Sequence, residues 1–182
     1  MKYLDILKQM RSKRLMNPTN ISKQDLEDVV EHLVYMQNAR NLQQLRYVII
    51  DHADEAIFKM TNLVSDHKIP LENAPSAYLI IGTLHDVNPN KLLGMDIGIA
   101  SQIIKEACFE KGYDTITINN VALKELADYV NKPGFYPQNI IAIGVSTMEI
   151  KTIVNNKQTG TTKDEHNNHV VYKLDKDTLL MK

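Results

Sequence analysis

Arg11, Ser12, Lys13 and Arg14 place three cations and a hydroxyl within four residues, directly after a helical apolar pattern. A phosphate monoester carries about −1.5 to −2 charge and three acceptor oxygens. Arginine offers a planar fork of donors that matches it, and serine adds a short neutral hydrogen bond. The stretch could therefore clamp a phosphate, although by its residues alone a solvated charged turn is the commoner reading. Asn41-Leu42-Gln43-Gln44 forms a second candidate group, between a helical pattern and a strand. Its amides could donate to and accept from the edge of a heteroaromatic ring, and any polar connection looks much the same. A third group, Gly112-Tyr113-Asp114-Thr115-Ile116-Thr117-Ile118, begins a strand after a glycine. Such a strand could present backbone N–H groups to a planar ligand, or be an ordinary junction of helix, stop and strand.

Other chemistries find little support. There is no Walker lysine motif, no Gly-x-Gly-x-x-Gly and no Gly-x-Ser-x-Gly elbow. His52, His67 and His85 are scattered, and His166 and His169 lie in a polar stretch without metal-ligand spacing. Cys108 is the single cysteine, so no intramolecular disulfide forms, and its apolar helical setting suits a packed thiol. A formal net charge of −1 offers no global field for nucleic acid or an anionic membrane. No apolar run reaches the roughly 20 residues that span a bilayer. Lys2, Asp5 and Lys8 break the N-terminal apolar run, unlike a signal peptide. The expectation is a soluble cytoplasmic protein of one domain, residues 1–182.

The elements that must carry these groups alternate between helix and strand. Helical spacing predicts a helix over 2–10 and a second one capped by Ser22, with Asp25 three residues on. Arg46–Ile50 reads as a strand, 53–65 as a helix, and Ser76–Leu84 as a strand apolar on both faces, hence central and doubly covered. The longest helix spans 94–111 and is rich in small residues early on; Gly112 ends it. Thr115–Ile118 and 140–145 read as strands around a helix at 121–129. Residues 154–168 read as an exposed loop, 169–172 as a short last strand and 176–181 as a tail. Alternation of this kind predicts a three-layer α/β/α arrangement.

Taken in order, these pieces resemble the FMN-dependent nitroreductase family. Its N-terminal Arg-Arg-Ser-x-Arg-x-Phe is similar to Met10-Arg11-Ser12-Lys13-Arg14-Leu15-Met16. Its Ala-Pro-Ser-x-x-Asn-x-Gln-Pro is similar to the stretch from Met36 to Gln44, and its Asp-x-Gly-x-Ala-x-Gln helix to Asp96-Ile97-Gly98-Ile99-Ala100-Ser101-Gln102. Gly112-Tyr113, the strand from Asn139 to Gly144, and Val170-Val171-Tyr172-Lys173-Leu174 complete the series. The resemblance covers nearly the whole chain. Met10 and Leu174 stand where the family has arginines, Gln37 and Gln44 where it has prolines, and Asn119 where it usually has glycine.

The resemblance implies an α+β fold, a mixed central sheet flanked by helices, and a homodimer with FMN at the interface. It implies an FMN-dependent oxidoreductase in which NAD(P)H delivers hydride to flavin N5 and a small-molecule acceptor (nitroaromatic, quinone or flavin) then removes it. Arg11, Ser12 and Arg14 would hold the phosphate, ribityl chain and pyrimidine edge. Arg14, with Lys13 as substitute, would polarise the N1–C2 edge. Asn38 and Asn41 would approach from the other subunit with Gln43 in support. Backbone groups of Ile116, Thr117 and Ile118 would face the ring near N5, and Lys173 would return to the phosphate. The alternative it leaves is an FMN-binding protein of the same fold with little or no turnover.

Overall fold

The computed structural model describes residues 2–17, 19–51, 71–86, 90–118 and 123–181, so the helix expected over 53–65, and Asn119, lie outside it. The chain forms two compact units, Met1–Ser146 and Thr147–Lys182.

Four strands build the first unit: β1 (Leu45–Ile50), β2 (Ala77–Thr83), β3 (Asp114–Ile118) and β4 (Tyr136–Gly144). They lie in the order β1-β2-β4-β3, and each neighbouring pair is antiparallel. A parallel bridge between Ser12 and Thr115 extends the sheet beyond β3, so both senses of pairing occur. All seven residues of β2 are buried, as its unbroken apolar run predicts. Its alternate residues feed two cores. Leu79 and Ile81, with Ile141 and Ile143 of β4, pack against helices α2 (Lys23–Glu31) and α3 (Lys91–Glu110). Tyr78 and Ile80, with Ile140 and Ala142, pack with Leu126 of α4 (Leu123–Val130). The result is the expected sandwich of helix, sheet and helix.

Local chemistry sets the element ends. Ser22 Oγ accepts from Asp25 N at the start of α2, and Asn90 Oδ1 accepts from Leu93 N at the start of α3, each at 3.0 Å. Gly112, at φ +82°, closes α3 while Tyr113 N donates to Cys108 O at 2.9 Å. Lys111 then reaches back to Asp25 and Asp28 at 2.9 and 2.8 Å, joining the end of α3 to α2. β4 begins at Tyr136, four residues before the expected 140, because Pro137 is accommodated at a register shift opposite Gly82. Gly82 has no room for a side chain there: a Cβ would come within 2.6 Å of the Phe135 ring and the Tyr136 carbonyl. The short N-terminal helix α1 (Tyr3–Gln9) buries none of its residues.

The second unit corrects one expectation. Residues 154–168 are not simply a loop. β5 (Ile150–Asn155), β6 (Gly160–Lys163) and β7 (His169–Leu174) form a sheet in the order β5-β7-β6. β7 runs parallel to β5 and antiparallel to β6. Every residue of β6 is exposed, so no apolar alternation marks it as a strand. A short helix α5 (Lys176–Leu179), capped by Asp175, replaces the expected tail. Among the described residues no helix is long and apolar enough to cross a membrane.

Candidate functional site

The four-residue cluster lies along the free edge of β3. α1 stops at Gln9, and Met10 turns extended. From there the chain runs beside the strand: Ser12 bridges Thr115, and Lys13 N donates to Thr115 O at 3.2 Å. Further on, Met16 N donates to Asn73 O at 3.1 Å and Asn17 N to Val145 O at 2.7 Å. The Met16 side chain is fully buried and sits over Gly144, where a Cβ would approach its sulfur to 2.7 Å. A core residue at 16 thus holds the polar residues 11–14 against the sheet edge.

The four side chains are differently committed. Arg11 Nη1 donates to Leu7 O at 3.1 Å and to Met10 O, closing the end of α1. Partial burial lowers its pKa from the ordinary arginine value. Lys13 Nζ lies 3.8 Å from Asp114 Oδ1, and Asp114 Oδ2 accepts from Ser146 N at 2.9 Å. Ser12 and Arg14 are exposed, and neither side chain has a protein partner among the described residues. The exposed cation and hydroxyl leave an open donor pair for an anion.

The Ile116–Ile118 stretch lies on the same edge, so the structure brings the first and third groups together. Ile116 and Ile118 turn their side chains into the α4-side core. Thr115 directs its carbonyl outward to Lys13. The two-residue period of a strand turns the Thr117 backbone outward as well, beyond the end of the cluster. The Thr117 hydroxyl faces the other way, toward α3. It is buried and has no hydrogen-bond partner among the described residues.

Asn38, Asn41 and Gln43 form a separate, internally bonded loop. Gln43 N donates to Asn38 Oδ1 at 3.0 Å, and Gln43 Nε2 donates to Asn41 Oδ1 at 3.1 Å. Arg40, Asn41 and Gln43 all hold positive φ, between 47° and 55°. Each such non-glycine conformation costs about 1–3 kcal/mol and persists only when its surroundings impose it. The loop joins the N-terminal end of β1. Ser12, in contrast, bridges Thr115, which lines up through Ile143 with Ala77, level with the other end of β1. Four strand spacings and about six residues of strand separate the two groups, roughly 25–30 Å. Within one chain, the amide loop and the cluster occupy opposite corners of the sheet. Lys173 lies in the second unit, exposed on β7.

Two contributors escape a reading of residue types. Asp114 beside Lys13 is a plain strand-start aspartate in sequence. Asp96 is 2% exposed, and its Oδ1 accepts from Ala39 N at 3.0 Å. Helical spacing could have found it: Leu93, Asp96, Ala100, Ile104 and Ala107 fall on one stripe, the buried face of α3. The opposite stripe is uncovered. Leu92, Met95 and Ile99 are exposed, and nothing lies within 4 Å of a Cβ placed on Gly94 or Gly98.

The fold is that of the nitroreductases. Over 80% of this chain and 88% of the other, it matches an FMN-dependent nitroreductase from Clostridium difficile R20291 at a TM-score of 0.68 and 20% identity. A nitroreductase family protein from Clostridium novyi NT matches at 0.68 and 15% identity, over 80% of this chain and 86% of that one. A Staphylococcus epidermidis protein assigned as an NAD(P)H:FMN oxidoreductase matches at 0.68 and 16% identity, over 81% and 88%. No family model matches the sequence, and no curated protein does. The expected α+β architecture is therefore met, at an identity where the likeness speaks for the fold.

Proposed function

We propose that this chain is an FMN-dependent NAD(P)H oxidoreductase of the nitroreductase type, cytoplasmic and acting as a homodimer. One observation carries the reading: the exposed Ser12 hydroxyl and Arg14 guanidinium, without a partner among the described residues, lie on the β3 edge from which the Thr117 backbone points outward. An anion-binding pair and a row of main-chain groups on one edge suit a phosphate joined to a planar ring. FMN, when bound, supplies ping-pong hydride chemistry at N5 between NAD(P)H and a nitroaromatic, quinone or flavin-type acceptor.

The protein's part is to bind and to shape the electrostatics. Arg14 and Ser12 hold the phosphate and ribityl side, with Arg11 and Lys13 adding positive potential behind them. Arg14 also favours negative charge on the pyrimidine edge, with Lys13 as its substitute. The main chain from Ile116 to Ile118 lies along the ring near N5, with Thr117 offering its outward groups.

A second copy completes this site. Asn38, Asn41 and Gln43 stand roughly 25–30 Å from the cluster, too far to share one ring with Arg14 within a chain. Asp96 ties their loop to α3, the helix whose other stripe is uncovered. Docking of two chains through Leu92, Met95, Ile99 and the glycines between them supports delivery of one chain's amides to the other's cluster.

One observation favours a second reading, an FMN binder with little turnover. Arg11 closes a helix end and Lys13 faces Asp114, so half of the cluster is partly engaged. The deciding experiment incubates purified protein with FMN, removes free ligand, and adds NADH or NADPH without oxygen. Retained flavin absorbance that bleaches supports the enzyme, and retained absorbance that does not bleach supports the binder. A protein left colourless overturns both.

A further inference from the structure

We propose that Asp96 is a positioning residue: it holds the amide loop, residues 38–43, in the shape that meets the flavin ring. This rests on the flavin reading above. Asp96 is 2% exposed, on the buried stripe of α3. Its Oδ1 accepts from Ala39 N at 3.0 Å, at the residue where the loop begins to coil. Its Oδ2 is buried with no hydrogen-bond partner among the described residues. A buried carboxylate with an orphan oxygen is expensive where only core packing is at stake, since an apolar residue would fill the space more cheaply. What it offers in return is the bond it makes to Ala39 N. That bond fixes a segment which then takes positive φ at Arg40, Asn41 and Gln43 and turns the side-chain oxygens of Asn38 and Asn41 back onto Gln43, so the loop is held in one shape. Asn38 itself makes no side-chain cap for the coil, so the carboxylate of α3 replaces the missing local anchor.

The test compares Asp96→Ala and Asp96→Asn in the full-length protein. Asparagine keeps an oxygen for Ala39 N and removes the orphan charge; alanine keeps neither. Asp96→Ala is expected to weaken FMN binding at least tenfold, shift the visible circular dichroism of bound flavin, and speed amide exchange in peptides covering 38–43. Asp96→Asn is expected to restore all three to within about threefold of the parent, with an equal or higher melting temperature. If Asp96→Ala lowers the melting temperature but leaves flavin affinity and spectrum at parental values, the residue is merely structural and the proposal is overturned. If alanine proves too unstable to purify, Asp96→Leu serves in its place with the same expectations. Failure of the parent protein itself to take up FMN would sink the flavin reading. Exchange in 38–43 would then still show whether Asp96 holds the loop.

Discussion

Met16 occupies the space that a side chain at Gly144 would need, its sulfur 2.7 Å from the position of a Cβ. The contact anchors residues 11–14 beside β3, because Met16 is fully buried while Ser12 and Arg14 are exposed. Gly144→Ala is therefore expected to destabilise the protein by about 1–3 kcal/mol, the usual cost of overpacking. Met16 cannot evade it by a rotamer change alone, since its own Cβ would lie 3.1 Å from the added methyl. Urea denaturation measures the loss, and FMN affinity should fall with it. Parental stability in this variant would mean that the segment is free to shift.

The exposed cation and the engaged one should respond in opposite directions. Arg14→Ala removes a charge-assisted contact worth about 1.5–3 kcal/mol, so FMN should bind roughly 10- to 100-fold more weakly with little change in melting temperature. Asp114→Asn keeps an acceptor for Ser146 N but removes the charge facing Lys13 at 3.8 Å. A partly exposed pair of this kind is worth about 0.2–1 kcal/mol, so FMN affinity should rise up to about fivefold. Fluorescence quenching of FMN reports both. A tighter Arg14 variant or a weaker Asp114 variant would show that the phosphate lies elsewhere.

Gly98 separates a free helix face from a covered one. Nothing lies within 4 Å of a Cβ at this position in the single chain. On an open face, Gly98→Ala would gain about 0.5–1 kcal/mol from helix propensity. In the homodimer proposed above, it is instead expected to raise the dimer dissociation constant, because small residues let helices approach closely. Sedimentation velocity on parent and variant distinguishes the two, and a monomeric parent would remove the two-chain site altogether.

Stability in acid should depend on Lys111. Its hydrogen bond, joined by those from Ser22 and Tyr113, holds the Asp25 carboxyl at about 2, below its ordinary 3.8. The same lysine lowers Asp28. A carboxyl whose pKa falls on folding stabilises the native state above its unfolded pKa, and loses that contribution as pH drops through the folded value. The melting temperature should therefore decline between about pH 4 and pH 2. Lys111→Met should be less stable at neutral pH and show a flatter decline in that window. Parallel profiles would assign the acid sensitivity to other carboxylates.

Much of this protein was legible from residue order alone. The unbroken apolar run of β2 requires cover on both faces. Ser22 and Gly112 mark helix ends by chemistry that acts within a few residues. Arg11–Arg14 stand out as a local density of charge. Signals failed where a distant partner decided the outcome. Pro137 lies inside β4 because Gly82 opposite it lets the register shift. β6 is a strand because β7 pairs with it, not because its own side chains alternate.

Residue types by themselves determined that a cationic stretch, a group of amides and a β-branched strand exist, and in what order. Only tertiary structure decided which of them meet. Strand pairing laid Ser12 against Thr115 and turned the Thr117 backbone outward, while the same register carried Asn38, Asn41 and Gln43 to the far corner of the sheet. Tertiary packing also set which charges remain available, engaging Lys13 with Asp114 and burying Asp96 at the root of the amide loop. The reason is physical: capping, turns and helical periodicity act between near neighbours in sequence. Hydrogen-bond register and ion pairing act through space, and their partners here lie tens of residues away.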